Sequence, residues 1–291
     1  MKKILIPVDF SECSDNACEY AYQLAKSTDA SLRLVHVMYD PIVQSDLPGY
    51  GYTGNVSTTE SVLYRIEIEA RKSLRYLQER YETKAEMEGV NMDISLALRN
   101  GFPESEITDE CEKWQPDLIL MGTHGKGRMV QTLLGSVSAR VMERVPAPVL
   151  AVPEGAHFNG IAQILYASGL EAGDSKNVCA LGKLFEKQAP TISCVNVLWD
   201  SNGRLMPWQY SAMKKDLEAL IRKACPDGKL SFEILEGQKL PERLNGYIAE
   251  HNIDILVMAM HHRNLLEKVF SPSQTRKMLG QSRIPLLAMH I

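Results

Sequence analysis

The first half of the chain alternates short apolar runs with longer segments of helical periodicity. Five runs rich in Ile, Leu and Val predict β-strands. They cover residues 2–8, 31–37, 92–98, 116–122 and 147–153. Apolar residues spaced three or four apart predict helices over residues 13–26, 58–88, 102–114 and 137–144. Strands that alternate with helices favour a parallel sheet covered on both faces, so the pattern predicts an α/β fold.

The same plan restarts after residue 160. Further strands are predicted over 162–168, 190–198, 229–235, 254–260 and 284–291, with helices over 206–224 and 240–251. The stretches DLILMGTHGKGRMVQTLLGSVS and DILVMAMHHRNLLEKVFSPSQT match without a gap, which indicates an internal duplication. We therefore predict a first domain at 1–153, a linker at 154–160 and a second domain at 161–291. Residues 39–57 are too long for a simple connection and predict a surface lid or partner-contacting loop.

Composition narrows the class of protein and of partner. A length of 291 residues, with 45% hydrophobic and 23% charged residues, suits two soluble domains. A net charge of -4 argues against a nucleic-acid or anionic-lipid partner. The apolar run at the amino terminus is too short for a signal peptide, and no run is long enough to span a bilayer. Six scattered cysteines suggest reduced thiols, so we expect a cytoplasmic protein without membrane contact.

A glycine-rich stretch follows the fourth strand with the spacing G-x2-G-x9-G-S. Glycines behind a parallel strand let the backbone approach a phosphate. A Walker A loop is excluded because Arg128 and Met129 occupy its Lys and Ser/Thr positions, and a Rossmann fingerprint fails at Val130. The stretch is therefore a candidate anion site of neither of these two types.

Four features together resemble the universal stress protein family in its tandem two-domain form. They are ILIPVDFSE at 4–12, LVHV at 34–37, GFP at 101–103, and the glycine spacing that family members binding ATP share. The resemblance implies two open sheets of five parallel strands in the order 3-2-1-4-5. It also implies that the two domains pack as a pseudo-dimer within the chain. The fifth strands could pair with each other, and a homodimer stays open.

The resemblance further implies a set of ATP-binding residues at neighbouring strand ends. They are Asp9, Val37, Met121, Gly122, Gly125, Gly135, Ser136 and Val137. Asp9 and the Val37 backbone would bind adenine, Met121 and Gly122 would lie beside the ribose, and Gly125 would leave room for ribose and phosphates. Residues 135–137 would open a helix whose N–H groups and positive end favour phosphate. Mg²⁺ or Mn²⁺ could accompany the phosphates. Singly, Asp9 is an ordinary helix-start residue and Gly135-Ser136 an ordinary turn.

The second domain departs from this set. Gly169, Ala259, His262 and Pro272 stand where the first domain has Asp9 and the three glycines, and only Ser273 keeps its type. Bulk at His262 and the missing N–H of Pro272 predict a domain that does not bind ATP and serves a structural or partner role.

Histidines in the second domain raise the question of a metal site. His261, His262 and His290 lack a recognisable ligand pattern, so we predict no metal there.

Three functions stay open at this point. The first is a stress-response protein that holds ATP as a regulatory ligand and acts on an unidentified protein partner. The second is an enzyme that slowly hydrolyses ATP or phosphorylates its own Ser136. The third is a nucleotide-free interaction module.

Overall fold

The computed structural model describes residues 1–39, 56–123, 135–198, 207–224, 228–236, 240–260 and 284–290. The described elements of the first half are β1 (Lys3–Pro7), α1 (Glu12–Thr28), β2 (Ser31–Met38), α2 (Val56–Met87), β3 (Ile94–Asn100), α3 (Pro103–Trp114), β4 (Leu118–Gly122), α4 (Ser136–Arg144) and β5 (Val149–Val152). Those of the second half are β6 (Gln163–Ala167), α5 (Ala172–Leu184), a 3-10 turn (Glu186–Gln188), β7 (Thr191–Leu198), α6 (Pro207–Ala224), β8 (Lys229–Glu236), α7 (Leu240–His251), β9 (Ile255–Met260) and β10 (Leu286–His290). Most of the loop predicted at 39–57 lies outside the described residues.

The two halves share one sheet of ten strands, in the order β3-β2-β1-β4-β5-β10-β9-β6-β7-β8. Each half keeps the expected 3-2-1-4-5 order with parallel neighbours, which confirms the α/β class. The prediction of two separate sheets is wrong in one respect. β5 and β10 pair antiparallel, with Leu287 opposite Leu150. The fifth strands of the two halves therefore pair with each other and join the halves into one sheet. Pairing removes two buried strand edges that would otherwise leave N–H and C=O groups unpaired.

Two hydrophobic cores run along the two faces of this sheet, and each extends across both halves. The first lies under α1, α2, α5 and α6, and Leu74 and Leu217 are among its buried residues. The second lies under α3, α4 and α7, and it includes Val141 and Leu244. Because helices cover both faces, all five residues of β4 are buried, as expected for a central parallel strand.

The sequence explains where the helices around the first half begin and end. Ser11 caps α1, since its Oγ accepts a hydrogen bond from Ser14 N at 3.2 Å. Asp29 ends α1 in the left-handed conformation, with φ of 54°. The amino-terminal part of α2 packs less closely on the core than its middle, because Ile66 is 46% exposed while Leu74 is buried. The amino-terminal part of α2 thus borders open space above the sheet.

The segment predicted as a linker packs against the first half. Asn16 Nδ2 of α1 donates to the carbonyl oxygens of Pro153 and Ala156, each at 3.1 Å. The rings of Tyr20 and Phe158 meet edge to face with centroids 5.3 Å apart. These contacts hold the connection against α1.

A buried carboxylate ties α3 to the outer strands. The Glu110 side chain is 1% exposed and forms ion pairs with Arg33 of β2 and Arg99 of β3. Arg33 Nε lies 2.7 Å from Glu110 Oε1 as an ion pair that is not a well-directed hydrogen bond. The two guanidinium groups offset the cost of desolvating the buried Glu110 carboxylate. Removal of this carboxylate would leave both arginines without their ion-pair partner.

Candidate functional site

The carboxyl ends of β1, β2 and β4 meet at one edge of the sheet. Pro7 pairs with Val35, and Leu5 pairs with Ile119. Continued along the strands, these registers set Asp9 level with Val37 on one side and with Thr123 on the other. This is the point where the strand order reverses, which is where open α/β sheets bind their ligands.

The loop after β1 holds the Asp9 carboxylate in place. Asp9 Oδ1 accepts hydrogen bonds from Ser11 N at 3.1 Å and from Ser11 Oγ at 2.6 Å. The intervening Phe10 adopts a left-handed conformation with φ of 59°, which turns the chain from the strand into α1. Asp9 is half-buried, so its carboxylate is both positioned and within reach of a ligand.

A cleft of about 1030 Å³ opens between this sheet edge and α2. Its volume is at the upper end for small-molecule sites and is sufficient for a nucleotide base with its sugar. Both apolar and charged side chains line it, including Asp9, His36, Val37, Arg65, Ile66, Glu67, Glu69 and Asn100. The structure therefore brings the two predicted base-binding residues, Asp9 and Val37, into one cavity.

Met121 and Gly122 end β4, and both are buried. Met121 belongs to the core on the α4 side, where Val37 and Val137 pack against it. A Cβ at Gly122 would lie 2.8 Å from Cys13 Sγ and 3.0 Å from the Cys13 carbonyl oxygen. Gly122 therefore has a packing reason in the structure, the close approach of α1, that is independent of any ligand.

The amino terminus of α4 faces the same sheet edge. Gly135 is its N-cap residue, and no side chain caps the helix. Gly135 N donates to Thr123 O at 2.8 Å, which fixes this terminus beside the end of β4. Ser136 is exposed and Val137 is half-buried. The first N–H groups of such a helix have no intrahelical acceptors and, with the helix dipole, favour an anion.

Gly135 itself has φ of -58° and ψ of 148°, which any L-residue adopts. The backbone conformation therefore does not require glycine at this position.

Gly125 lies outside the described residues, so its predicted role remains a prediction. Lys126 and Arg128 also lie outside the described residues.

The second half replaces the apolar interior of the first with a buried polar network, which sequence reasoning missed. Asp174 accepts hydrogen bonds from Tyr166 Oη at 2.6 Å, Ser168 Oγ at 2.6 Å and Glu171 N at 3.1 Å. Ser168 occupies the position of Val8, and Gly169 that of Asp9. The available signal was the replacement of Ile6 and Val8 by Tyr166 and Ser168 in the gapless match.

Electrostatics favour the protonated form of the Tyr166 phenol. Burial, the negative charge of Asp174 and the hydrogen bond to it raise the pKa of Tyr166 well above its ordinary value. The phenol therefore stays protonated and acts as a donor, so the network is a structural unit of the second half.

The histidines considered for a metal site fall in different places. His261 and His262 lie outside the described residues, and His290 ends β10. Within the described ranges, no group of three or more His, Cys, Asp or Glu side chains could hold a metal ion. Among the helices in those ranges, none combines the length and apolar character needed to cross a membrane.

Comparison with known proteins identifies the family. The model of the universal stress protein family matches residues 1–153 and 198–290, so the chain belongs to this family. Universal stress protein MJ0531 of Methanocaldococcus jannaschii is 33% identical over 151 residues, which are 52% of this chain and 81% of that protein. Universal stress protein Slr1230 of Synechocystis sp. is 23% identical over 298 residues, covering 99% of each chain.

A solved structure supports the fold over the full length. A universal stress protein from Archaeoglobus fulgidus has a TM-score of 0.69, with 16% identity, and the match covers 99% of this chain and 98% of that chain. At this identity the likeness concerns the fold, including the arrangement of both halves.

Proposed function

We propose that the first half binds ATP as a regulatory ligand, and that the second half binds none and serves a structural or partner-binding role. The observation that carries the proposal is the joint position of two groups at the β1/β4 edge of the sheet. The positioned Asp9 carboxylate lies in a nucleotide-sized cleft, and the open amino terminus of α4 lies at the end of the neighbouring strand.

The base end of the proposed site rests on Asp9 and Val37. Asp9 accepts the 6-amino hydrogen of adenine, and the Val37 backbone pairs with the base edge. Ser11 donates two hydrogen bonds to Asp9 Oδ1, which fixes the orientation of the carboxylate. Met121 would lie beside the ribose, and Val37 and Val137 pack against the core to which Met121 belongs.

The phosphate end rests on residues 135–137 together with Gly125. The helix terminus offers N–H donors, and the exposed Ser136 hydroxyl offers one more. Mg²⁺ or Mn²⁺ would share the phosphate charge. In the second half, the loss of Asp9 to Gly169 and of Gly135 to Pro272 removes both ends of the site.

The proposal extends to location and assembly. All five cysteines in the described part of the chain are free, which suits a reducing cytoplasm. The β5–β10 pairing gives the halves a dimer-like contact within the chain. A protein partner, or a homodimer through another surface, would receive the nucleotide signal.

Calorimetry with ATP tests the site directly. The protein should bind one nucleotide per chain, Asp9→Ala should weaken binding about tenfold or more, and Gly135→Val should block the phosphates. Val is compatible with the Gly135 backbone angles, so the variant should stay folded. Gly169→Ala at the matching position of the second half is the control and should bind normally. Two nucleotides per chain, or unchanged affinity in both first-half variants, would refute the assignment.

A further inference from the structure

The loops that leave β1 and β6 share one construction. His36 Nδ1 contacts the Val8 carbonyl oxygen at 2.7 Å. At the matching place in the second half, Asn196 Nδ2 donates to the Ser168 carbonyl oxygen at 2.6 Å. In each half, a side chain of the second strand thus binds the carbonyl one residue beyond the first strand.

The same backbone turn follows each of these tethers. Phe10 and Leu170 both have φ of 59°, and Ser11 and Glu171 are the N-caps of the helices that come next. The residue between the tether and the turn differs between the two halves. It is Asp9, which carries a carboxylate, in the first half and Gly169 in the second.

The tether of the first half does not depend on the charge of the imidazole. A carbonyl oxygen only accepts hydrogen bonds, so His36 Nδ1 carries the hydrogen in both the neutral and the cationic form. The ring also packs against Phe10, with centroids 4.5 Å apart, and lines the cleft. His36 therefore holds the peptide that bears Asp9 and forms part of the cavity wall.

We propose that His36 is a positioning residue that gives the cleft its preference for 6-aminopurine over 6-oxopurine nucleotides. This inference rests on the proposed ATP site. Asp9 distinguishes an amino group from a carbonyl only while its carboxylate is held in the plane of the base. Ser11 fixes the carboxylate from one side, and the His36 tether fixes the main chain from the other. Without the tether, Asp9 can rotate away, and the difference in affinity between the two bases becomes smaller.

The test compares the affinities for ATP and for inosine triphosphate, which carries a 6-oxo group. The wild type should prefer ATP, and His36→Ala should reduce that preference by roughly tenfold, equivalent to one lost hydrogen bond. His36→Asn installs the side chain that makes the same tether in the second half. This variant should restore the preference for ATP over inosine triphosphate, even where loss of the imidazole ring lowers the affinity for both nucleotides equally.

Two controls separate this role from general effects. Asp9→Ala should reduce the preference at least as much as His36→Ala does, which establishes that the ratio reports on the carboxylate. Asn196→Ala removes the equivalent bond in the second half and should leave the ratio unchanged. An unchanged ratio in His36→Ala, or no rescue by His36→Asn, would overturn the inference alone. No ATP binding by the wild type would overturn the proposed function and this inference with it.

Discussion

Gly122→Ala should destabilise the protein in the absence of any nucleotide. The added Cβ would lie 2.8 Å from Cys13 Sγ and 3.0 Å from the Cys13 carbonyl oxygen, closer than carbon normally approaches either atom. Because one of these atoms belongs to the backbone, α1 has to shift against β4. Overpacking of this kind costs about 1 to 3 kcal/mol of unfolding free energy.

The second half contains the reverse pair. Ala259 takes the position of Gly122, and Gly173 takes that of Cys13, so the side chain lies on the strand and the glycine on the helix. Cys13→Gly alone should cost about 1 to 2 kcal/mol, because it removes a buried side chain and adds a helical glycine. The double variant Cys13→Gly/Gly122→Ala recreates the second-half pair. We expect it to be more stable than the sum of the single effects by about 1 kcal/mol.

Urea unfolding followed by far-ultraviolet circular dichroism measures all three variants against the wild type. A coupling energy well above about 0.5 kcal/mol supports direct contact, since distant sites add within that margin. An unchanged unfolding free energy in Gly122→Ala, or additive single effects, would refute the packing reason for Gly122. Ligand binding would then be the better explanation of this glycine.

Three further predictions follow from buried and paired charges. Glu110→Ala should lower the unfolding free energy by about 3 kcal/mol, while Glu218→Ala, which breaks a surface pair, should cost under about 0.5 kcal/mol by the same urea assay. Burial opposes ionisation of Glu19, but hydrogen bonds led by that from Lys84 outweigh it and hold its pKa below the ordinary 4.5. Its contribution is therefore present above pH 4.5 and lost as the pH falls through the lower folded pKa, so the stability gap between wild type and Glu19→Gln should shrink from pH 7 to pH 3. Asp174→Ala removes the acceptor of two buried hydroxyl groups and should cost about 3 kcal/mol in thermal unfolding without changing ATP affinity.

The periodicity and the duplication predicted most of the fold. The strand order within each half followed once the elements were placed, because parallel strands joined by helices allow few topologies. How the halves meet was less determined. The apolar runs that became β5 and β10 suit pairing within the chain or with another chain equally well, and only the three-dimensional structure selects the antiparallel contact.

The candidate site was predicted only in part, because some of its contacts join residues that are far apart in sequence. Asp9 and Val37 share a cleft as their strand-end positions suggested. The glycine spacing, however, treated Gly122 as part of a ligand loop, and the close approach of Cys13 is a contact between residues far apart in sequence. Local patterns do not reveal such contacts. The Asp174 network was missed because Ser, Asp and Glu at a helix start are indistinguishable from ordinary caps.

The contact between β5 and β10 has a consequence for synthesis. β5 is complete early, whereas its partner strand is made only after most of the second half. At ribosomal rates, this interval lasts on the order of ten seconds. During it, the fully apolar Val149–Val152 strand is an unpaired edge of an otherwise folded sheet. Nascent chains on neighbouring ribosomes could pair through this edge in place of β10, which makes it the natural point for chaperone protection and for domain-swapped misassembly.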